Sequence, residues 1–267
     1  MTTETSEFHI PQKNVHIIAG GSLSVSDNLG ENVNINVSGD FLMGQHGYIG
    51  PGTRIRGNNV TIGDHFYCSG DLEIGGGGSG GKDADLWIGD RCTMHKGFIN
   101  LCEPVYIGND VGFSHGVSLI THGFWMSVLE GYPRKFSGIR IYDKVILGYG
   151  ATVLPGCSID EGAVIGAGSV VTKPLGKGIW GGNPAKFIKD VKEPTEKEKR
   201  FMFGEITARC GRLGLTGGCE YPTIKIDYFT VNVLTGEWEG QESENSDKLR
   251  DILRKFGIRI YTERGFG

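Results

Sequence analysis

Residues 141 to 176, IYDKVI LGYGAT VLPGCS IDEGAV IGAGSV VTKPLG, fall into successive hexads. The first place of each is a large aliphatic residue: Ile141, Leu147, Val153, Ile159, Ile165 and Val171. The fifth holds smaller or modest side chains, Val145, Ala151, Cys157, Ala163 and Ser169. An offset of four within a period of six matches neither the 3.6 of an amphipathic helix nor the 2 of an isolated strand. It matches a short strand and a turn, repeated. Three such units close a triangular coil of about 18 residues, which stacks on the next coil at about 4.8 Å. The first-place residues then fill the interior of a prism.

The register returns upstream in pieces. Ile107, Phe113 and Leu119 have Val111 and Val117 in fifth places; Ile88 and Met94 have Cys92 and Phe98. Ile62, Cys68 and Ile74 follow with Phe66 and Leu72, and before them Ile49 and Ile55. Glycine is abundant, 45 of 267 residues, where about 7% is average. With Asp and Asn in "IGDR", "IGND" and "IGAG", it is expected to supply corner conformations that a Cβ would obstruct.

The fold expected is mainly β, a parallel β-helix of hexapeptide repeats with a small mixed α/β C-terminal extension. The divisions are an N-terminal segment 1–14, the β-helix 15–190 and the extension 191–267. Two stretches break the repeat. "GGGGSGGKDADLW", 75–87, reads as a flexible excursion; "THGFWMSVLEGYPRKFSG", 121–138, is too apolar for free solution and is expected to pack on a neighbouring surface. In the extension, 195–212 is expected to be helical, with Phe201 and Phe203 as a weak apolar face. Residues 223–233 are expected as a strand followed by a turn at Thr235-Gly236. A second helix is expected in "NSDKLRDILRKFG", with Ser246 as N-cap and Gly257 as stop. The extension is expected to shield an open end of the β-helix, or else to take part in choosing an acceptor.

A net charge of −4 gives no basic field to capture nucleic acid. No apolar run approaches the roughly 20 residues of a spanning helix, and "MTTETSEFHI" lacks a basic segment followed by an apolar one. A cytoplasmic protein without membrane insertion is expected. The six cysteines form no CxxC pair and are expected as reduced, packed thiols; Cys210 and Cys219 could pair under oxidation.

The segments "IGND", "ILGYGATVLPGCSIDEGAVIGAGSVVTK" and "GGNPAKFIK" resemble the hexapeptide-repeat acyltransferases, over roughly residues 45 to 190. That resemblance, toward the galactoside, maltose and polysaccharide O-acetyltransferases, implies a left-handed β-helix, acetyl-CoA as co-substrate and a homotrimer with active sites between subunits. It places the catalytic histidine in a "TH" step at the root of a long loop, which Thr121-His122 matches. A histidine is suited to deprotonating an acceptor near neutral pH. It further implies CoA contacts at Tyr149, Ala167, Thr172, Lys173, Lys186 and Lys189, and an acceptor contact at Asn100. Lys173, Lys177, Lys186 and Lys189 themselves supply cations for phosphates. Trp125, with Phe124, Tyr132 and Phe136, suits stacking on a sugar ring. Ile146 stands where many relatives have Trp; Trp125 or Trp180 are the candidates to replace it.

The expected activity is acetyl transfer from acetyl-CoA to a saccharide hydroxyl, with no metal. The alternatives are N-acetylation of a nucleotide-linked amino sugar, a γ-carbonic-anhydrase-like zinc enzyme using His95, His115 and His122, or a non-catalytic scaffold. The zinc reading is disfavoured because those relatives space their close pair five residues apart, whereas His115 and His122 are seven apart.

Overall fold

The computed structural model describes residues 5–26 and 28–262. They form two compact units that divide between Val191 and Lys192.

The first unit is a β-helix of the hexapeptide-repeat type, with the parallel stacking expected. Its interior is made of stacked aliphatic columns. On the first face the register runs Ile17, Ile35, Ile55, Ile74, Ile99, Leu119, Val153, Val171. The second runs Met43, Ile62, Ile88, Ile107, Ile141, Ile159. The third runs Ile49, Cys68, Met94, Phe113, Leu147, Ile165, Trp180. Nearly all of these are fully buried, and the fifth-place residues close the corners of the same core, except Phe98: the repeat is one residue short there, so Ile99 takes the inward place and Phe98 is only partly buried. Parallel strands buried on their inner side and joined by tight corners leave the outward side chains to carry any chemistry.

The start of the chain is more ordered than its sequence pattern suggests. Ser6–Ile10 pairs antiparallel with Val15–Ala19 and extends the first face by one strand.

In "IGAG" glycine supplies the expected corner conformation, Gly168 having φ 66°, but at the corner between the second and third faces its role is different. The left-handed conformation there is taken by His46, His65, Arg91, Asp110 and Lys144. The glycine of each "IGD" or "IGN" makes room instead: a Cβ at Gly63 or Gly108 would run into Oδ1 of Asp90 or Asp143 on the next coil. Those oxygens accept backbone N–H bonds from the coil before, Asp64 N to Asp90 at 2.9 Å, Asp90 N to Asn109 at 2.8 Å and Asn109 N to Asp143 at 2.9 Å. Side-chain acceptors thus stitch coil to coil where the strands end.

The second unit packs two helices with a four-stranded antiparallel sheet around its own core. Helix α1, Glu196–Arg212, begins at Thr195 in a reciprocal capping box with Glu198. Phe203, Ile206 and Cys210 form its buried face, while Phe201 is exposed. The expected strand 223–233 is a hairpin, Thr223–Ile226 and Phe229–Asn232, because Asp227 turns the chain with φ 53°. Helix α2, Glu244–Arg254, is capped by Ser243; Ser246 is three places inside, buried, and its hydroxyl bonds back to the cap. No helix among the described residues is long and apolar enough to cross a membrane.

Candidate active site

Three consecutive coils of the first face carry the site. Leu72–Gly75 pairs with Gly97–Asn100, which pairs with Ser118–Leu119, so Ile74, Ile99 and Leu119 lie in one column. Each interruption of the repeat leaves the prism directly after the outer two of these strands. Asn100 ends the strand between them and is 3% exposed.

Its amide is completely used. Asn100 Nδ2 donates to the carbonyl oxygens of Gly75 and Gly77, both at 3.2 Å. Asn100 Oδ1 accepts from the Thr121 hydroxyl at 2.7 Å and from its backbone N–H at 3.3 Å. The same oxygen lies 2.7 Å from His122 Nδ1. Two carbonyl acceptors on one side of the amide identify that side as the NH2, leaving Oδ1 an acceptor only. His122 Nδ1 must therefore carry the proton in this contact, and Nε2 of the neutral ring holds the lone pair. Thr121 is wholly buried, and its hydroxyl oxygen also accepts the backbone N–H groups of Cys102, at 3.1 Å, and Glu103, at 3.2 Å. A buried network with every member satisfied is rigid, and it fixes the imidazole.

The Gly-rich stretch is not a free excursion. Leu101 N–H bonds the Gly75 carbonyl at 2.9 Å, and Asn58 N–H bonds that of Ala84 at 2.7 Å, so both ends are held. Its middle returns to the histidine: a Cβ at Gly77 would stand 3.8 Å from His122 Cε1 and 3.9 Å from Nε2.

The second interruption is a ribbon. His122–Gly123 pairs antiparallel with Lys135–Phe136, and a single helical turn, Val128–Glu130, makes its tip. The Phe136 ring stacks on His122 at 5.5 Å, and Phe124 lies 5.6 Å from the same imidazole. The expected packing of this loop does not occur within the chain: Trp125 is 90% and Leu129 94% exposed.

The remaining expected residues lie in the last coils. Tyr149 and Ala167 occupy stacked corners, with Gly168 N–H bonded to the Tyr149 carbonyl at 2.7 Å. Thr172 and Lys173 follow Val170–Val171 on the first face, and Lys186 and Lys189 bound the strand Lys186–Lys189 on the third. All six are exposed, unlike the buried cluster at His122. Asn100, expected at the acceptor, spends its amide on Thr121, His122 and the Gly-rich loop. Ile146 is half exposed on the third face; Trp180 joins the interior column there and donates to the Gly176 carbonyl at 2.8 Å. Of the residues gathered at the imidazole, Gly77 is the one that sequence spacing did not single out; the signal for it was the interruption of the repeat one coil before Asn100, opposite the interruption that begins at Thr121.

His95 and His115 stack on each other at 5.4 Å, and His95 Nδ1 lies 3.0 Å from the Ser69 hydroxyl. Burial and then the neighbouring His115 hold the His95 pKa below its ordinary value. Among the described residues no group of three or more His, Cys, Asp or Glu side chains is placed to hold a metal ion. The cysteines are free thiols, and burial pushes the pKa of Cys68, Cys157 and Cys210 up, away from nucleophilic chemistry.

No protein-family profile matches the chain. It is 28% identical over 99 residues to a putative acetyltransferase of Bacillus subtilis, covering 37% of this chain and 55% of that one. It is 29% identical over 163 residues to the mitochondrial γ-carbonic anhydrase 2 of Arabidopsis thaliana, covering 58% and 45%. The chain thus spans about half the length of these curated relatives. Among solved structures, a hexapeptide-repeat acetyltransferase from Vibrio cholerae overlaps 49% of this chain and 74% of its own, with 20% identity and a TM-score of 0.43. The chain resembles hexapeptide-repeat acetyltransferases, and a γ-carbonic anhydrase also stands among the relatives it matches.

Proposed function

For a chain that resembles hexapeptide-repeat acetyltransferases, we propose acetyl transfer from acetyl-CoA to a saccharide hydroxyl, with His122 as general base and a trimer as the working assembly. The observation that carries this reading is the 2.7 Å contact of His122 Nδ1 with Asn100 Oδ1. It leaves the Nε2 lone pair free to take a proton, in a ring held by a buried network, as a general base requires. In the reaction the acceptor hydroxyl passes its proton to Nε2 while its oxygen attacks the thioester carbonyl carbon. The tetrahedral intermediate then expels the CoA thiolate, which recovers the proton from Nε2. Holding the acceptor against the thioester lowers the barrier further, by removing the entropy cost of their encounter.

The late coils suit the donor. From Leu119 the first-face column rises through Val153 to Val171, immediately before Thr172 and Lys173, two interstrand steps or about 10 Å. Lys173, Lys186 and Lys189 would hold the phosphates of CoA, and Tyr149 and Ala167 would flank its arm. On the acceptor side, Phe124 and Phe136 beside His122 offer ring faces to a sugar, and Trp125 extends them. The exposed apolar tip of the ribbon suits contact with a second copy of the chain.

The test is release of CoA thiol from acetyl-CoA across a panel of sugars, glycans and nucleotide-linked amino sugars. Turnover with a hydroxyl acceptor is expected, falling by about 10²- to 10⁴-fold in His122→Ala while CoA binding persists. Undiminished turnover in that variant removes His122 from the role. Turnover confined to amino sugars makes the enzyme an N-acetyltransferase, and absence of CoA binding overturns the reading altogether.

A further inference from the structure

Several basic residues at the corners of the β-helix are matched by an acid on the neighbouring coil. Arg91 pairs with Asp110 at 2.8 Å, Lys144 with Glu161 at 3.5 Å and Lys96 with Asp71 at 3.7 Å. Two arginines at the candidate site are not matched: among the described residues Arg56 and Arg134 have no ion-pair partner. Arg56 lies one coil before the Gly-rich stretch. Leu72–Gly75 pairs in parallel with Arg54–Gly57, and a Cβ on Gly75 would come within 3.0 Å of Arg56 Cβ. Ile55 and Gly57 are the buried places of that strand, so the Arg56 side chain projects outward. Its partner in register on the preceding coil is the uncharged Asn36, whereas Arg54 stands opposite Glu73. The Gly75 carbonyl is held by Asn100 Nδ2, which puts Arg56 at the root of the loop that returns to His122.

Arg134 belongs to the ribbon. His122 and Phe136 are cross-strand partners that stack at 5.5 Å, and the Arg134 guanidinium carbon lies 5.7 Å from the centre of the same Phe136 ring. A guanidinium held over a ring keeps its in-plane N–H groups free to meet an anion in a forked geometry. The next residue, Lys135, projects from the opposite face of the ribbon, where a Cβ on Gly156 would come within 3.3 Å of its Nζ. Glu130 is the only acid of the segment 121–138, and it does not pair with Arg134 although four residues separate them. The chain as a whole carries a net charge of −4, so no general positive field surrounds these groups. Two uncommitted guanidinium groups beside rings suited to a sugar point to a ligand that is itself negative.

We propose that the acceptor is an anionic saccharide, with one carboxylate or phosphate group bound by Arg134 next to His122 and a second, further along the saccharide, bound by Arg56. The proposal rests on the reading of the His122 site as one of acetyl transfer to a saccharide. From the strand of Arg56 to that of Leu119 the first face rises by three interstrand steps, about 14 Å. An acceptor that meets both arginines is therefore an oligosaccharide rather than a single sugar.

Binding is measured first without acetyl-CoA, by calorimetric titration of the full chain with a uronic acid oligosaccharide, a phosphorylated oligosaccharide and a neutral oligosaccharide of the same length. The better of the anionic probes is expected to bind at least about tenfold more tightly than the neutral one, and which of them it is identifies the group as carboxylate or phosphate. Arg134→Gln and Arg56→Gln should each weaken that binding by about tenfold. Arg140→Gln removes the same charge from the second face, where Arg140 lies over the Tyr106 ring, and should change binding by less than about threefold. Equal affinity for neutral and anionic probes overturns the proposal. So does undiminished binding in Arg134→Gln or Arg56→Gln, or an equal loss in all the variants, which a general charge effect would give. Thiol release from acetyl-CoA is then followed with the same probes. Anion binding that depends on Arg134 and Arg56 without any thiol release removes the transferase reading and leaves the anion site standing. Thiol release with the neutral probe alone does the reverse, so the two failures are distinguishable.

Discussion

The last coils, residues 141–171, and the three strands that end at Gly75, Asn100 and Leu119 are built on the same column of buried aliphatics, yet they do different things. In the last coils every departure from the repeat is a corner, and each outward position is a short or solvated side chain on a regular surface. Around Asn100 the repeat is interrupted one coil to either side, and the interruptions fold back on each other. The prism supplies a fixed spacing between adjacent coils, so a residue at a strand end can reach both neighbours. Asn100 does so, holding the Gly75 and Gly77 carbonyls on one side and Thr121 and His122 on the other. Regularity gives the rigidity, and the broken coils gather the polar cluster around Asn100.

That contrast is tested most severely at Asn100. Asn100→Ala takes away the acceptor of the His122 Nδ1–H and of the buried Thr121 N–H and the donor to the Gly77 carbonyl, while the Gly75 carbonyl keeps the Leu101 N–H and the Thr121 hydroxyl keeps the backbone carbonyl of residue 100. It should destabilise the first unit by roughly 2–3 kcal/mol in denaturant unfolding and lower acetyl transfer by about 10²-fold. Asn100→Asp restores the acceptor for His122 but not the donor for the glycines. It should recover transfer more than stability, and equal loss of both would refute the division of labour between the two ends of the amide.

In the regular part the expectation is reversed. Gly108→Ala drives a Cβ into Asp143 Oδ1 and disturbs its bond to Asn109 N–H. A fall in stability of roughly 1–3 kcal/mol is expected, with the turnover of the folded fraction unchanged. A selective loss of turnover would show that the corner ladder is coupled to the site.

The smallest effect concerns pH. Burial and His115 hold His95 below its ordinary pKa in the folded state, so the unfolded chain binds the proton more readily. Stability from this group is complete above its unfolded value of about 6.5 and declines as pH falls from there through the lower folded value. His95→Gln should flatten the decline in Tm between about pH 7 and pH 5. A decline as steep as in the parent protein would mean that other groups set it.

The sequence by itself determined the prism, its register and the place where it breaks, because a period of six with buried first places has one compact solution and any slip would expose aliphatic residues. It also marked Thr121-His122, since a polar pair at the root of an interruption is legible from spacing. It could not show that Gly77 faces His122, that Asn100 is turned inward to hold both, or that Ser243 rather than Ser246 caps α2. It also suggested turn conformations for the glycines of "IGDR" and "IGND", whereas these glycines clear space for an oxygen on the next coil. Each of these depends on which atoms meet across adjacent coils, or on where a chain reverses. Only the tertiary structure decides that, because the same residue types at the same spacing can be satisfied by water until packing excludes it.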